Sequence, residues 1–334
     1  MLAVELVIVL LAIFLGARLG GIGIGFAGGL GVLVLALIGV KPGSIPFDVI
    51  SIIMAVIAAI SAMQVAGGMD YLVQQTEKLL RKNPKHITIL APIVTYFLTI
   101  FAGTGNISLS ALPVIAEVAK EQGIKPCRPL STAVVSAQIA ITASPISAAV
   151  VYMSSVMEGH GVSYLHLLMV VIPSTFCAVL VMSLLVTWLF DSKLSNDPVY
   201  LKRLEEGLIT LRGNNALAIK PRAKASVLLF LLGVLCVVAY AIINSPGLGL
   251  VAKPLMPMAL ALNVSPLTAV ASFAAVSGLF ILPTYPTLVA AVQMDDTGTT
   301  RIGRFVFNHP FFIPGTMGVI FAVVFGFLLG SVML

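Results

Sequence analysis

Charge is what this sequence has least of. Asp, Glu, Lys and Arg make up 10% of its 334 residues, where a soluble domain averages about 25%. That scarcity excludes a water-solvated globular surface, and with it the two soluble domains that length alone suggests. Cysteine is scarce too. Cys127, Cys177 and Cys236 stand far apart with no CxxC or Cys/His grouping, so no disulfide framework or metal centre follows. His86, His160, His166 and His309 lie in or beside polar stretches without the spacing of a zinc site. No nucleophile–base set is visible, which gives no basis for an enzyme. Acids are missing from the middle of the apolar runs: Glu5, Asp48, Asp70, Glu117 and Glu158 all fall near run ends. With no buried carboxylate relay, a cation/proton antiporter is disfavoured. The N-terminus lacks the positive region of a secretory signal, so residues 1–17 read as a retained membrane segment.

What the sequence has is apolar length. Hydrophobic residues reach 59% and mean hydropathy is +1.10. The expected fold class is an all-α, polytopic helical membrane protein. Apolar runs cover Leu2–Leu15, Ile24–Val40, Phe47–Ala66, 130–156, 165–190, 226–243, 268–292 and 311–333. Residues 87–102 and 107–118 are shorter arms, below the roughly 20 residues of a full span.

The formal charge of +6 gives a pI near 9.3. Lys and Arg collect in polar loops, which points to membrane orientation and not to nucleic acid. Loop 70–86 carries Lys78, Arg81, Lys82 and Lys85; loop 191–225 carries seven basic residues from Lys193 to Lys224; loop 117–128 carries Lys120, Lys125 and Arg128. All three are expected in the cytoplasm, with loops 41–46 and 157–164 outside and the N-terminus periplasmic. Segment 87–118 must then leave and return on one side, as a re-entrant hairpin or as two short spans.

Three polar interruptions carry the chemistry. The hairpin tip is Gly103-Thr104-Gly105-Asn106-Ile107-Ser108-Leu109-Ser110. Irregular backbone at membrane depth is tolerated where protein buries it or a watery cavity meets it. Asn106 is a suitable N-cap for a helix from about Ile107. The helix N-terminus, with the hydroxyls of Thr104, Ser108 and Ser110, makes a carboxylate site. The alternative is a ligand-free turn. The second interruption holds Ser136-Ala137-Gln138 and then Thr142-Ala143-Ser144-Pro145-Ile146-Ser147, inside 130–156. Pro145 removes a backbone hydrogen bond, and the freed carbonyls need hydroxyls or an ion. The alternative is a kink satisfied by its own hydroxyls. The third is Leu282-Pro283-Thr284-Tyr285-Pro286-Thr287, inside 268–292. Its surroundings repeat the first break: Leu112-Pro113 precedes Pro129-Leu130-Ser131-Thr132-Ala133-Val134-Val135-Ser136, and Met256-Pro257 precedes Pro266-Leu267-Thr268-Ala269-Val270-Ala271-Ser272. Paired broken helices in two related halves are the mark of an inverted-repeat transporter. The halves are read as 1–190 and 226–334, joined by a cytoplasmic linker, 191–225.

Two signals carry less. Gly23-Ile24-Gly25-Phe26-Ala27-Gly28 matches GxGxxG, but no strand precedes it, so with Gly16, Gly20, Gly21 and Gly29 it is read as a helix-packing face. Arg18 marks the cytoplasmic boundary or attracts an anionic substrate.

From Leu10 to Gly21, Phe101 to Ser108, Ile141 to Ser147 and Leu282 to Thr287, the chain resembles the anaerobic four-carbon-dicarboxylate uptake (Dcu) family of Gram-negative bacteria. The resemblance covers nearly all residues. It implies inner-membrane transport of aspartate, fumarate, malate and succinate, by exchange or by uptake coupled to Na+ or H+. It also implies two inverted repeats, each with a re-entrant hairpin and a broken helix. Family members run about a hundred residues longer. The difference falls after Leu250, where Val251–Met256 joins two distant segments, so the second repeat is incomplete and only the second arm of its hairpin, about Leu255–Asn263, is retained.

The expected substrate site is Thr104, Gly105, Asn106, Ser108, Thr142, Ser144, Pro145 and Ser147 from the first half, with Thr284, Tyr285 and Thr287 from the second. No cofactor is expected beyond a coupling Na+ or H+. Partners are dicarboxylates and membrane lipid, with a sensor kinase and a second copy as further candidates. The rival class is a transport-inactive, internally deleted membrane protein or interaction partner.

Overall fold

A computed structural model of the chain describes residues 2–19, 23–41, 47–191, 193–209, 220–244, 264–281, 285–303 and 307–334. Among them there are helices and no strand. The backbone forms two compact units, Met1–Pro46 and Phe47–Leu334.

The first unit pairs α1 (Leu2–Leu19) with α2 (Gly23–Leu37). A Cβ at Gly31 would lie 2.8 Å from the Ala12 Cβ, so that glycine does let two helices approach. Gly25, Gly28 and Gly29 meet nothing within 4 Å, so the glycine packing face read from the sequence is much narrower here. The Arg18 guanidinium stands 5.6 Å from the Phe14 ring centroid at the end of α1.

The second unit begins with α3 (Phe47–Val65) and α4 (Gly68–Lys82). Most of the expected loop 70–86 is therefore helix. Its charges hide an amphipathic pattern that buries Thr76 and Leu80 and exposes Lys78 and Lys82. α5 (Ile87–Ala102) and α6 (Ser108–Glu121) are the two arms. A 3₁₀ turn at Pro84–His86 extends the first arm, and Pro84–Ala102 is 19 residues long. The arm thus reaches spanning length, longer than expected.

The run 130–156 divides into α7 (Cys127–Ile141) and α8 (Ala148–Glu158), followed by α9 (Tyr164–Leu189). α10 (Pro198–Glu205) lies in the linker, and α11 (Pro221–Asn244) leaves it. The run 268–292 divides further than expected: α12 (Pro266–Ala271), a 3₁₀ segment at Phe273–Phe280, then α13 (Pro286–Met294). α14 (Phe312–Met333) ends the chain. Each divided run is followed by a long helix, α9 after the first and α14 after the second. The junction around Val251 and the stretch Leu255–Asn263 lie outside the described residues.

α9 and α14 form the most extensive helix pair, and α5 packs along α7. Glycines on α14 let other elements approach it closely. A Cβ at Gly326 would fall 2.8 Å from the Ala271 carbonyl oxygen, one at Gly318 2.7 Å from Ile139 Cδ1, and one at Gly315 would overlap the Phe280 ring. The core runs through α5, α6, α7, α9 and α13, with Tyr96, Leu112, Ile115, Leu130 and Ile139 fully buried. Large apolar side chains such as Trp188, Leu184, Ile320 and Val324 face outward. Such a surface suits hydrocarbon and not water. Among the described residues Pro84–Ala102, Tyr164–Leu189 and Phe312–Met333 are long and apolar enough to cross a membrane.

Candidate functional site

The site begins with the hairpin tip. Gly103 ends α5 at φ 70°, a left-handed conformation that a side chain would strain. It also sits against α8's approach: a Cβ there would come 3.1 Å from the Ile146 carbonyl oxygen. Gly105 is buried, and its Cβ would meet Ile141 Cδ1 at 3.2 Å. Glycine at both positions lets the tip seat on the α7–α8 break.

Thr104, and not Asn106, is the cap. Thr104 has extended backbone, and its Oγ1 accepts from the Asn106 N–H at 3.4 Å. Residues Gly105–Ile107 form a 3₁₀ turn that places the Asn106 side chain outward, exposed. The helix proper starts at Ser108, whose Oγ donates to the Gly105 carbonyl at 2.7 Å.

In the break, hydroxyls serve backbone carbonyls. Thr142 Oγ1 donates to Ile139 O at 2.7 Å, and Ser147 Oγ to Ile141 O at 2.6 Å. Ser144 Oγ donates to Ile100 O on α5 at 2.6 Å, tying the break to the first arm. Ser147 also caps α8, accepting from Val150 N–H at 3.1 Å. The Tyr164 hydroxyl donates to Pro145 O at 2.7 Å. This is the demand that a mid-helix proline creates, met mostly by local side chains. The protons of Ser108, Thr142, Ser144 and Ser147 are thus spent on protein. Of the expected site residues that the structure describes, Thr104, Asn106 and Thr287 keep hydroxyl or amide protons that no residue accepts.

The second break joins through Gln138. Its Nε2 donates to Thr287 Oγ1 at 2.9 Å, with both residues fully buried. Gln138 Oε1 has no partner, and neither does Thr99 Oγ1. Tyr285 stands beside Gln138 at the start of α13. Thr284 lies outside the described residues. The structure therefore brings Thr104, Gly105, Asn106, Ser108, Thr142, Ser144, Pro145, Ser147, Tyr285 and Thr287 to one region. Three helix N-termini begin there, those of α6, α8 and α13. A helix N-terminus carries the positive end of the helix dipole, which favours an anion.

Other buried polar groups lie outside the expected site residues. Glu117 and Asp295 are buried, although they end apolar runs, so run-end position did not mean exposure. Glu117 Oε1 has no hydrogen-bond partner. Asp295 accepts from Thr297 N–H at 3.0 Å, Thr299 Oγ1 at 2.8 Å, Thr300 N–H at 2.6 Å and the Thr297 hydroxyl. The signal was present in Asp295-Asp296-Thr297-Gly298-Thr299-Thr300, an acid followed by threonines two and four residues on with a glycine between. Arg128 is buried and caps α9, donating to Val186 O at 3.0 Å and Thr187 O at 2.7 Å. No group of three or more His, Cys, Asp or Glu able to hold a metal occurs among the described residues.

The family model described as anaerobic C4-dicarboxylate membrane transporter matches residues 1–254 and 247–334. The two matches overlap at the junction read from the sequence. The C4-dicarboxylate transporter DcuA of Escherichia coli is 67% identical over 433 alignment positions, covering all of both chains. That of Wolinella succinogenes is 47% identical over 434 positions, again covering all of both. That of Serratia marcescens is 98% identical over 132 residues, 40% of this chain and all of that one. No solved structure matches. A family model matched from end to end, with full-length relatives 67% and 47% identical, leaves one conclusion: the chain belongs to the family of anaerobic C4-dicarboxylate membrane transporters.

Proposed function

We propose that this chain is a secondary transporter of four-carbon dicarboxylates, aspartate, fumarate, malate and succinate, across the bacterial inner membrane. It works by exchange, or by uptake coupled to Na+ or H+. The observation that carries the reading is the meeting of the tip, the α7–α8 break and Gln138–Thr287 inside an apolar bundle, in a chain of this family. Asn106, Thr104 and the three helix N-termini replace the hydration of the substrate carboxylates. Ser144, Ser147 and Thr142 keep the break open rather than touch substrate. The N-terminus is periplasmic, and 191–225 is a cytoplasmic linker between a repeat at 1–190 and the rest of a second, inverted repeat at 226–334. Alternating access moves the hairpin region against the remainder.

Uptake of labelled fumarate and aspartate into proteoliposomes loaded with succinate tests this. Saturable counterflow supports it; its absence in correctly inserted protein overturns it. A second reading has its own support: an alignment of 433 positions holds only 334 residues of this chain, and the gap falls in the second half. A transport-inactive membrane protein, acting through a partner such as a sensor kinase or a second copy, would insert normally, show no counterflow and co-purify with that partner.

A further inference from the structure

An apolar cavity of about 470 Å³ runs between α4, α5 and α11 and ends against Ile107 of the hairpin tip. Its walls come from α3, α4, α5 and α11, and every lining residue is apolar, among them Leu72, Leu79, Leu98, Phe101, Ile107 and Phe230. Phe97 and Phe101 line it and are 43% and 45% exposed on α5, a helix long and apolar enough to span, so in a membrane this side of the cavity would meet hydrocarbon.

Its depth is informative. Lining residues on α5 run from Ile93 to Ala102, a rise of about 14 Å at helical pitch. That is close to half of a hydrocarbon core about 30 Å thick. One end therefore reaches the hairpin tip at Ile107, and the other reaches the amphipathic helix α4. At that second end the exposed charges are mostly basic. Arg222 and Lys224 open α11 one turn before the lining residue Val227, with the Lys224 Nζ 5.9 Å from the Tyr71 ring centroid. Lys78 and Lys82 are exposed on α4; Asp70 is the exposed acid there, and Glu77 is paired with Arg81 at 2.8 Å.

We infer that this cavity takes one acyl chain of an anionic phospholipid from the cytoplasmic leaflet, with the headgroup held by Arg222 and Lys224. The chain length, the lateral opening and the basic rim fit that occupant together, whereas a peptide would find no hydrogen-bonding group in the walls. The tail end would touch Ile107, so the lipid would brace the hairpin tip. The inference rests on the proposed cytoplasmic placement of this end of the bundle, and not on transport.

Native mass spectrometry of the full purified chain, titrated with phosphatidylglycerol or phosphatidylethanolamine, tests it. One phosphatidylglycerol should be retained per chain, in strong preference to phosphatidylethanolamine. Arg222→Gln with Lys224→Gln, both exposed positions that leave the fold intact, should lower that preference roughly tenfold. Leu98→Trp, which fills the cavity, should abolish retention of either lipid, and Val94→Phe gives the same arm if Leu98→Trp does not fold. Equal retention of the two lipids by the unaltered chain would overturn the inference. So would undiminished retention in a folded cavity-filling variant.

Discussion

Gln138 and Thr287 are 149 residues apart in sequence and share one buried hydrogen bond of 2.9 Å, from the Gln138 amide nitrogen to the Thr287 hydroxyl. The bond joins α7 to the start of α13, and with it the first break to the second. Thr287→Val keeps the shape and leaves a buried amide unpaired. The expected cost is about 1–3 kcal/mol of stability, read as a lower melting temperature in detergent, with a matching fall in uptake. Thr287→Ser restores both. If Thr287→Val melts where the unaltered chain does, the bond contributes nothing.

Asn106 and Ser144 should separate cleanly in kinetics. Asn106 is exposed at the tip and spends no amide proton on protein. Ser144 is fully buried and donates to Ile100 O at 2.6 Å. Asn106→Ala should raise the KM for fumarate about tenfold with an unchanged melting temperature. Ser144→Ala should cost about 1–2 kcal/mol of stability and lower the maximal rate, because the first arm loses its tie to the break. The reverse pattern would exchange the two roles.

The contrast marks where sequence reasoning reaches and where it stops. Pro145 and its hydroxyls announce a broken helix because proline chemistry is local, and the arm Ile87–Ala102 is legible from hydropathy alone. Whether the Ser144 proton serves a substrate or Ile100 depends on a contact 44 residues away, which no local pattern encodes. Asn106 fails as the cap because a 3₁₀ turn at Gly105–Ile107 precedes the helix and puts the extended, capping position at Thr104, a detail that cap propensity alone does not encode. α4 was hidden by its own charges, since basic residues that mark a cytoplasmic loop equally decorate an amphipathic helix lying there.

Helix α14 should tolerate no side chain at Gly326. A Cβ there lies 2.8 Å from the Ala271 carbonyl oxygen and 2.9 Å from its Cα, both backbone atoms that cannot rotate away. Gly326→Ala is expected to cost about 1–3 kcal/mol through overpacking. Gly233, which has open space around it, serves as the control: Gly233→Ala should be neutral or slightly stabilising. Equal melting temperatures for the two variants would mean that α14 does not pack against α12 so closely.

Asp191 predicts an acid-sensitive turn at the start of the linker. The Lys193 N–H at 3.1 Å, Lys125 Nζ at 3.2 Å and Asn196 Nδ2 at 3.2 Å hold its carboxyl down to about 2. A carboxyl depressed in the folded state stabilises fully above its ordinary value of 3.8, and loses that contribution as pH falls toward 2. A spin label at Ser195→Cys, in a background lacking the three cysteines, should gain mobility between about pH 4 and pH 2. Asp191→Asn should be mobile already at pH 6 and change little below it. Parallel titrations of the two proteins would remove Asp191 from the turn.

Lys120 ends the second hairpin arm with its Nζ 2.9 Å from both Asp296 oxygens. Arg203 of α10 donates to the Asp296 carbonyl at 2.9 Å, so arm, turn and linker helix meet at one residue. The Lys120 side chain is 7% exposed and Asp296 27%, so water screens the pair only in part. If the hairpin region moves during transport, this pair must open and close with it. Lys120→Ala and Asp296→Ala should each slow uptake several-fold without changing insertion. The swap of Lys120→Asp with Asp296→Lys should recover part of the loss, because the attraction is restored while the Arg203 contact to backbone is kept. Double-mutant coupling of about 1 kcal/mol or more in uptake rate is expected. Additive single effects would mean that the pair does not act as a unit, and that other contacts, such as Ser144 to Ile100 and Ser136 to Pro92, hold the hairpin.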